Sequence, residues 1–161
     1  MTGFDAPPPP APFPPAADRR PRPAVTVGAT LVTLGGALMI AGSILHWFDL
    51  DHVTYNGFTS GLEGVTNVKG GIFDVLGVVV LGFGITQLLA KKVIALGIIG
   101  AVLSALALLV GLKALSDIND LVDLGRLFGA DVSTGPGLYV AVAGGILGTI
   151  GSIATVVKQS A

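Results

Sequence analysis

Apolar and polar positions alternate along this chain in long blocks. Four apolar stretches cover about residues 25–48, 71–90, 93–112 and 136–157. At 1.5 Å per residue each reaches roughly 30–36 Å as a helix, enough to cross the hydrocarbon core of a bilayer. The pattern predicts an all-α membrane protein, a four-transmembrane-helix bundle occupying 24–158, with connections at 49–70 and 113–135. Residues 1–23 stand apart. Pro7 to Pro10, Pro12, Pro14 and Pro15 favour solvated polyproline II, and such a tail cannot bury enough apolar area to fold alone. Its length, and that of the span after it, predict an uncleaved anchor rather than a signal peptide.

Details within the blocks refine the elements. His46, Trp47 and Phe48 close the first span, where an interfacial Trp keeps its ring in hydrocarbon and its N–H near water. Asn56-Gly57, flanked by β-formers from Val53 to Thr59, is a hairpin signal, because both turn positions need positive φ. Beyond residue 112, Ile118, Leu121, Val122, Leu127 and Phe128 recur at helical spacing, with Asp117, Asp120 and Asp123 between them. They form either an amphipathic helix on the membrane surface or a continuation of the third span. Pro136 suits the first turn of the fourth span, where its missing N–H costs nothing. Gly70-Gly71-Ile72-Phe73 and Gly135-Pro136-Gly137-Leu138-Tyr139 open the second and fourth spans alike. A parallel repeat of two helices and an unrelated likeness of the halves are both open.

Charge gives the bundle a direction. The tail, the junction between spans two and three and the C-terminus hold Arg19, Arg20, Arg22, Lys91, Lys92 and Lys158, six of the nine basic residues. The two other connections and the lip of span two hold eight of the ten acidic residues: Asp49, Asp51, Glu63, Asp74, Asp117, Asp120, Asp123 and Asp131. Lys and Arg accumulate in short cytoplasmic loops, so the expected topology is N-in/C-in across a plasma membrane. Only 12% of residues are charged, against about 25% in a soluble domain. The net charge of −1 argues against a nucleic-acid partner. Cysteine is absent, which removes disulfides, thiol catalysis and Cys-type metal sites together.

Lipid supplies no hydrophobic drive between helices, so small residues must let backbones approach. Span four carries two stripes, Gly144, Gly148 and Ser152 on one and Gly137, Ala141 and Gly145 on the other. Span three offers Gly97, Ala101 and Ala105, with Gly100 and Ser104, and span one offers Ala29, Thr33, Ala37 and Ala41. These serve internal packing, or one stripe of span four meets a partner outside the chain.

Chemistry is sparse. Asp74 and Gln87 are the main polar interruptions of the spans. Asp74 reads as a first-turn cap or structural bond, or as an ion-handling group. His46, Asp49, Asp51 and His52 carry metal-ligand chemistry at a spacing that matches no signature, so a solvated membrane rim is the competing reading. Asp117, Asn119, Asp120 and Asp123 lack the glycine and terminal glutamate of an EF-hand loop. No catalytic order of residues, phosphate cradle or haem-ligand pair emerges, so no cofactor and no enzymatic activity are expected.

The Pro-rich, Arg-ended tail, the first span closing on His46-Trp47-Phe48 and the fourth opening on Gly135-Pro136-Gly137-Leu138-Tyr139 resemble a group of small four-span actinobacterial membrane proteins. The layout is similar to that of the proline-rich accessory factor associated with the cytochrome bcc–aa3 respiratory supercomplex. That resemblance implies a peripheral, non-catalytic subunit without a cofactor. Its partners would be lipids and other integral membrane subunits, cytochrome bcc and aa3 oxidase subunits among them. The proline tail would then be an idle spacer or a strap along a partner's cytoplasmic face. Two other expectations stand beside it: a small transporter using Asp74, and an outer-face metal-binding sensor or enzyme using the His46–His52 cluster.

Overall fold

The computed structural model describes residues 23–50, 53–58, 71–89 and 94–160. The proline-rich tail, Asp51, His52 and Lys91-Lys92 lie outside these residues, as does most of the connection before the second helix. The elements run α1 (Pro23–Ile44), β1 (His46–Leu50), β2 (Val53–Asn56), α2 (Gly71–Leu89), α3 (Ile94–Phe128), β3 (Val132–Thr134) and α4 (Pro136–Ser160). All four helices are long and apolar enough to cross a membrane, so the all-α membrane fold read from the hydropathy pattern is the observed one.

Glycine sets how the helices meet. On α1, Gly28, Gly35 and Gly42 recur every seven residues, and on α4 so do Gly137, Gly144 and Gly151. The two rows face each other antiparallel. A Cβ on Gly35 would lie 2.6 Å from the Gly148 nitrogen and 2.7 Å from the Gly144 carbonyl oxygen. One on Gly151 would lie 2.7 Å from the Gly28 oxygen, and one on Gly42 2.7 Å from the Gly137 oxygen. Backbone therefore rests on backbone along the whole seam, the closest packing that helices in lipid can reach. Gly36 meets Gly77 of α2 in the same way, and Gly84 meets Thr33. On span one the expected row Ala29, Thr33, Ala37 and Ala41 is not the seam, since Ala37 and Ala41 are exposed. A four-residue spacing drifts around a helix, whereas seven residues make almost two whole turns and stay on one side.

The pairing of α3 with α4 shows where α3 leaves the bundle. A Cβ on Gly97 would touch Val156, one on Gly100 Ser152 and one on Gly111 Val142. Continued at that register, the first residue of α4 stands beside about residue 117 of α3, and about 11 further residues carry α3 roughly 16 Å beyond the other helices. The continuation of span three is thus one unbroken helix of 35 residues.

That projecting end is held by a small sheet of order β2-β1-β3, with both pairings antiparallel. The first span was expected to run to Phe48, but its helix ends at Ile44. His46 to Leu50 pair with Asn56 to Val53 on one side, and Phe48 to Leu50 with Thr134 to Val132 on the other. The observed hairpin is not the one expected to turn at Asn56-Gly57, since its strands are β1 and β2. Leu50 is already opposite Val53, so Asn56-Gly57 lies at the end of β2. There the Asn56 side chain accepts from the Phe58 N–H at 3.0 Å, and the Gly57 N–H donates to the Ser43 carbonyl at 3.2 Å. Trp47, Phe48, Phe73, Ile118, Val122, Val132 and Leu138 form the buried core of this cap.

Candidate functional sites at the two ends of the bundle

The cap end gathers most of the polar chemistry among the described residues. Trp47 stands edge-on to Phe73, with ring centroids 5.8 Å apart and planes at 76°. Its indole N–H donates to the Gly42 carbonyl at 3.0 Å, an oxygen that the strand following the helix leaves without a helical partner. Phe48 stacks on Tyr55 at 4.8 Å and 7°. These contacts fix β1 across the ends of α1 and α2.

Beneath them the Ser43 hydroxyl bonds to Asp74 Oδ1 and to the Ile40 carbonyl. A hydroxyl has one proton, so it donates to one of these at a time. Asp74 lies in the first turn of α2, where an anion is favoured by the free N–H groups of the helix start. Of the two sequence readings for Asp74, the structural bond has a named partner.

The proposed metal residues are divided. His46 and Asp49 lie on β1, with His46 Nε2 and Asp49 Oδ2 4.0 Å apart and both side chains more than a third exposed. Asp51 and His52 fall outside the described residues. Among the described residues no three His, Cys, Asp or Glu side chains gather as metal ligands. Along α3, Asp117 pairs with Lys113 at 2.5 Å and Asp123 with Arg126 at 3.3 Å, each an exposed helix-face pair of little energetic weight.

The same helix carries exposed apolar side chains at its projecting end. Ile118 and Val122 are buried in the cap, but Leu127 is 80% exposed and Phe128 85%, with Leu124 beside them at 53%. Ile118, Val122, Leu127 and Phe128, which recur at helical spacing in the sequence, thus part company in the structure. The cap that Leu127 and Phe128 would have packed against ends at Val132, because the chain turns back at Gly129. That glycine takes φ 74°. The Ala130 N–H donates to the Gly125 carbonyl at 2.9 Å and Gly129 N–H to Arg126 at 3.4 Å, which closes the helix.

Both stripes of span four are engaged within the chain. Gly144 meets Gly35 and Met39 of α1, and Gly137 meets Gly42 and the start of β1. Ala141 packs beneath Gly42, while Gly145 meets Leu108 of α3 and Gly148 meets Gly35 and Ser104. Ser152 faces Gly100. Each stripe meets α1 toward the cap and α3 further along.

The other end of the bundle holds a polar group of a different kind. Gln87 of α2 is 2% exposed, and Ser104 of α3 and Ser152 of α4 are fully buried. Both Gln87 amide atoms and both serine hydroxyls lack a hydrogen-bond partner. A buried polar group left unpaired costs about 1–3 kcal/mol. An apolar cluster of Val32, Met39, Val80 and Ala107, backed by Leu76 and Leu103, adjoins the serines, with Met39 on the cap side against Gly144. The sequence marked Gln87 as an interruption of its span, but the serines read only as small packing residues.

Fold and composition together define a class, a small polytopic helical membrane protein with a structured cap at one end. No family model, curated protein or solved structure matches the chain.

Proposed function

We propose that the protein is a non-catalytic accessory subunit of a larger membrane complex, inserted in a plasma membrane with both termini in the cytoplasm. The observation that carries this reading is the Leu124, Leu127 and Phe128 surface at the projecting end of α3. Side chains that face lipid along the spans need no partner. These three stand about two to three helical turns beyond the level at which the other helices end, where water would be the solvent. Exposed apolar clusters mark contacts with another protein or a membrane surface, and Phe128 is of the aromatic type enriched at protein interfaces. The favoured host is the respiratory bcc–aa3 supercomplex, on the resemblance of the chain's layout.

The two alternatives have less support. A transport role for Asp74 would need a polar route, yet its carboxylate is bonded to Ser43 and the apolar cluster of Val32, Met39, Val80 and Ala107 lies below it. A metal-dependent role at the rim has only His46 and Asp49 among the described residues, 4.0 Å apart.

Affinity purification of the full-length protein from its native membrane in a mild detergent tests the proposal. The wild type is expected to bring a membrane complex with it. Leu127→Glu combined with Phe128→Ser should lose that complex while keeping the helical circular dichroism and unfolding temperature of the wild type. If the wild type runs alone while the respiratory complexes purify intact without it, the host assignment and the accessory role both fail.

A further inference from the structure

We propose that Gln87, Ser104 and Ser152 form an internal hydration site, holding ordered water between α2 and the α3–α4 pair.

Two independent features point there. The first is direction. Of the other buried or half-buried hydroxyls of the helices, Ser43 is shared between Asp74 and Ile40, and the rest turn back onto their own backbone: Thr33 to Ala29, Thr149 to Gly145 and Thr155 to Gly151. This is the ordinary way a hydroxyl satisfies itself inside a membrane helix. Ser104 and Ser152 do not do so. They cross the helix interface in reciprocal fashion, Ser104 against Gly148 and Ser152 against Gly100, and neither hydroxyl has a hydrogen-bond partner.

The second feature is a shared face. Gly97, Gly100 and Ser104 lie on one side of α3, at i, i+3 and i+7. A point one Cβ bond from Gly97 lies 4.0 Å from Gln87 Nε2. The equivalent point at Gly100 lies 3.1 Å from Ser152 Oγ. A carboxamide donates and accepts, and so does a hydroxyl. Water, which also donates and accepts, matches that mixed set.

Val156 and Phe83 border this face of α3, 2.7 Å from the Cβ position of Gly97 and 3.8 Å from that of Gly100. Buried waters of this kind occur about once per 27 residues and make about three hydrogen bonds each. Toward the cap stand the apolar side chains of Met39 and Ala107, with no further orphaned polar atom among the described residues.

Radiolytic hydroxyl labelling of the full-length protein in lipid nanodiscs tests the site, because radicals born from bound water attack the side chains next to it. Phe83 and Val156 should be oxidised at least severalfold faster than Met39, although methionine is intrinsically the more reactive residue. Gln87→Leu, Ser104→Ala and Ser152→Ala combined should bring labelling of Phe83 and Val156 down to the level of Met39. Gln87→Met alone, which keeps the side-chain volume, should lower it at least twofold and serves if the triple variant fails to fold. Equal labelling of Met39 and Phe83 in the wild type would overturn the proposal, as would labelling of Phe83 unchanged in both variants.

Discussion

At Gly35 a methyl group would lie 2.6 Å from the Gly148 nitrogen, whereas at Gly82 it would meet nothing within 4 Å. Both residues are mid-helix glycines in apolar surroundings, so the pair isolates packing from helix propensity. Gly35→Ala is expected to destabilise the bundle by about 1–3 kcal/mol, because the clash is with backbone and a whole helix must move. Gly82→Ala should be neutral or stabilising by up to about 1 kcal/mol. Unfolding titrations in mixed micelles compare the two, and equal effects would mean that the α1–α4 seam is looser than described. The Ser43–Asp74 bond gives a second contrast. Ser43→Ala leaves the carboxylate without its partner and should cost about 1–2 kcal/mol, while Asp74→Asn keeps an acceptor oxygen and should cost less than half as much. If Asp74→Asn instead left stability intact but altered ion flux in liposomes, the transport reading would replace the structural one. Neither contrast was visible in the residues alone. Gly35 and Gly82 look alike in sequence, and only the neighbour's backbone tells them apart.

The elements were legible to different depths. Four long apolar runs could be little other than spanning helices, and the observed helices match them at most ends. The end of α1 was misread because Trp47 and Phe48 continue the apolar run without a polar break. What stops the helix is tertiary: β1 finds partners on both sides, in β2 and β3. The hairpin expected around Asn56-Gly57 is not the observed one, since the local signal could not show that Val53 already pairs with Leu50 on its other side. For α3 the sequence left two readings open, and the burial of Ala114, Ile118 and Val122 against Trp47 and Phe73 is what keeps the helix straight past the other three. Its last turn depends on Gly129 at φ 74°. Gly129→Ala should cost about 1 kcal/mol through the left-handed conformation. The loss should be local, seen as faster hydrogen exchange at Ala130 and the last turn of α3, with the spans unchanged. Uniformly slower protection along α4 would contradict that account.

On the scale of the molecule, the first and last helices are each other's principal neighbours. Hydropathy gives no sign of this, and the sign that does exist is a seven-residue recurrence of glycine in two helices that lie at opposite ends of the chain. The two halves also diverge at the cap, where the first contributes a hairpin and the second a helical extension. The seam between α1 and α4 has a consequence for biogenesis. A ribosome releases α1 first, and the glycine face of that helix has no mate until α4 emerges more than a hundred residues later. Through that interval α1 can pair only with α2, by Gly36 against Gly77, while its longest smooth side stays open to lipid or to an insertase. A chain stopped after Thr134 should therefore insert three helices yet be cleared quickly by membrane proteases, and α4 supplied as a separate polypeptide should extend its lifetime. Pulse–chase decay of the truncated chain, with and without the fourth helix, measures this directly. Completion of the protein is thus a kinetic checkpoint, with its last helix serving as the latch.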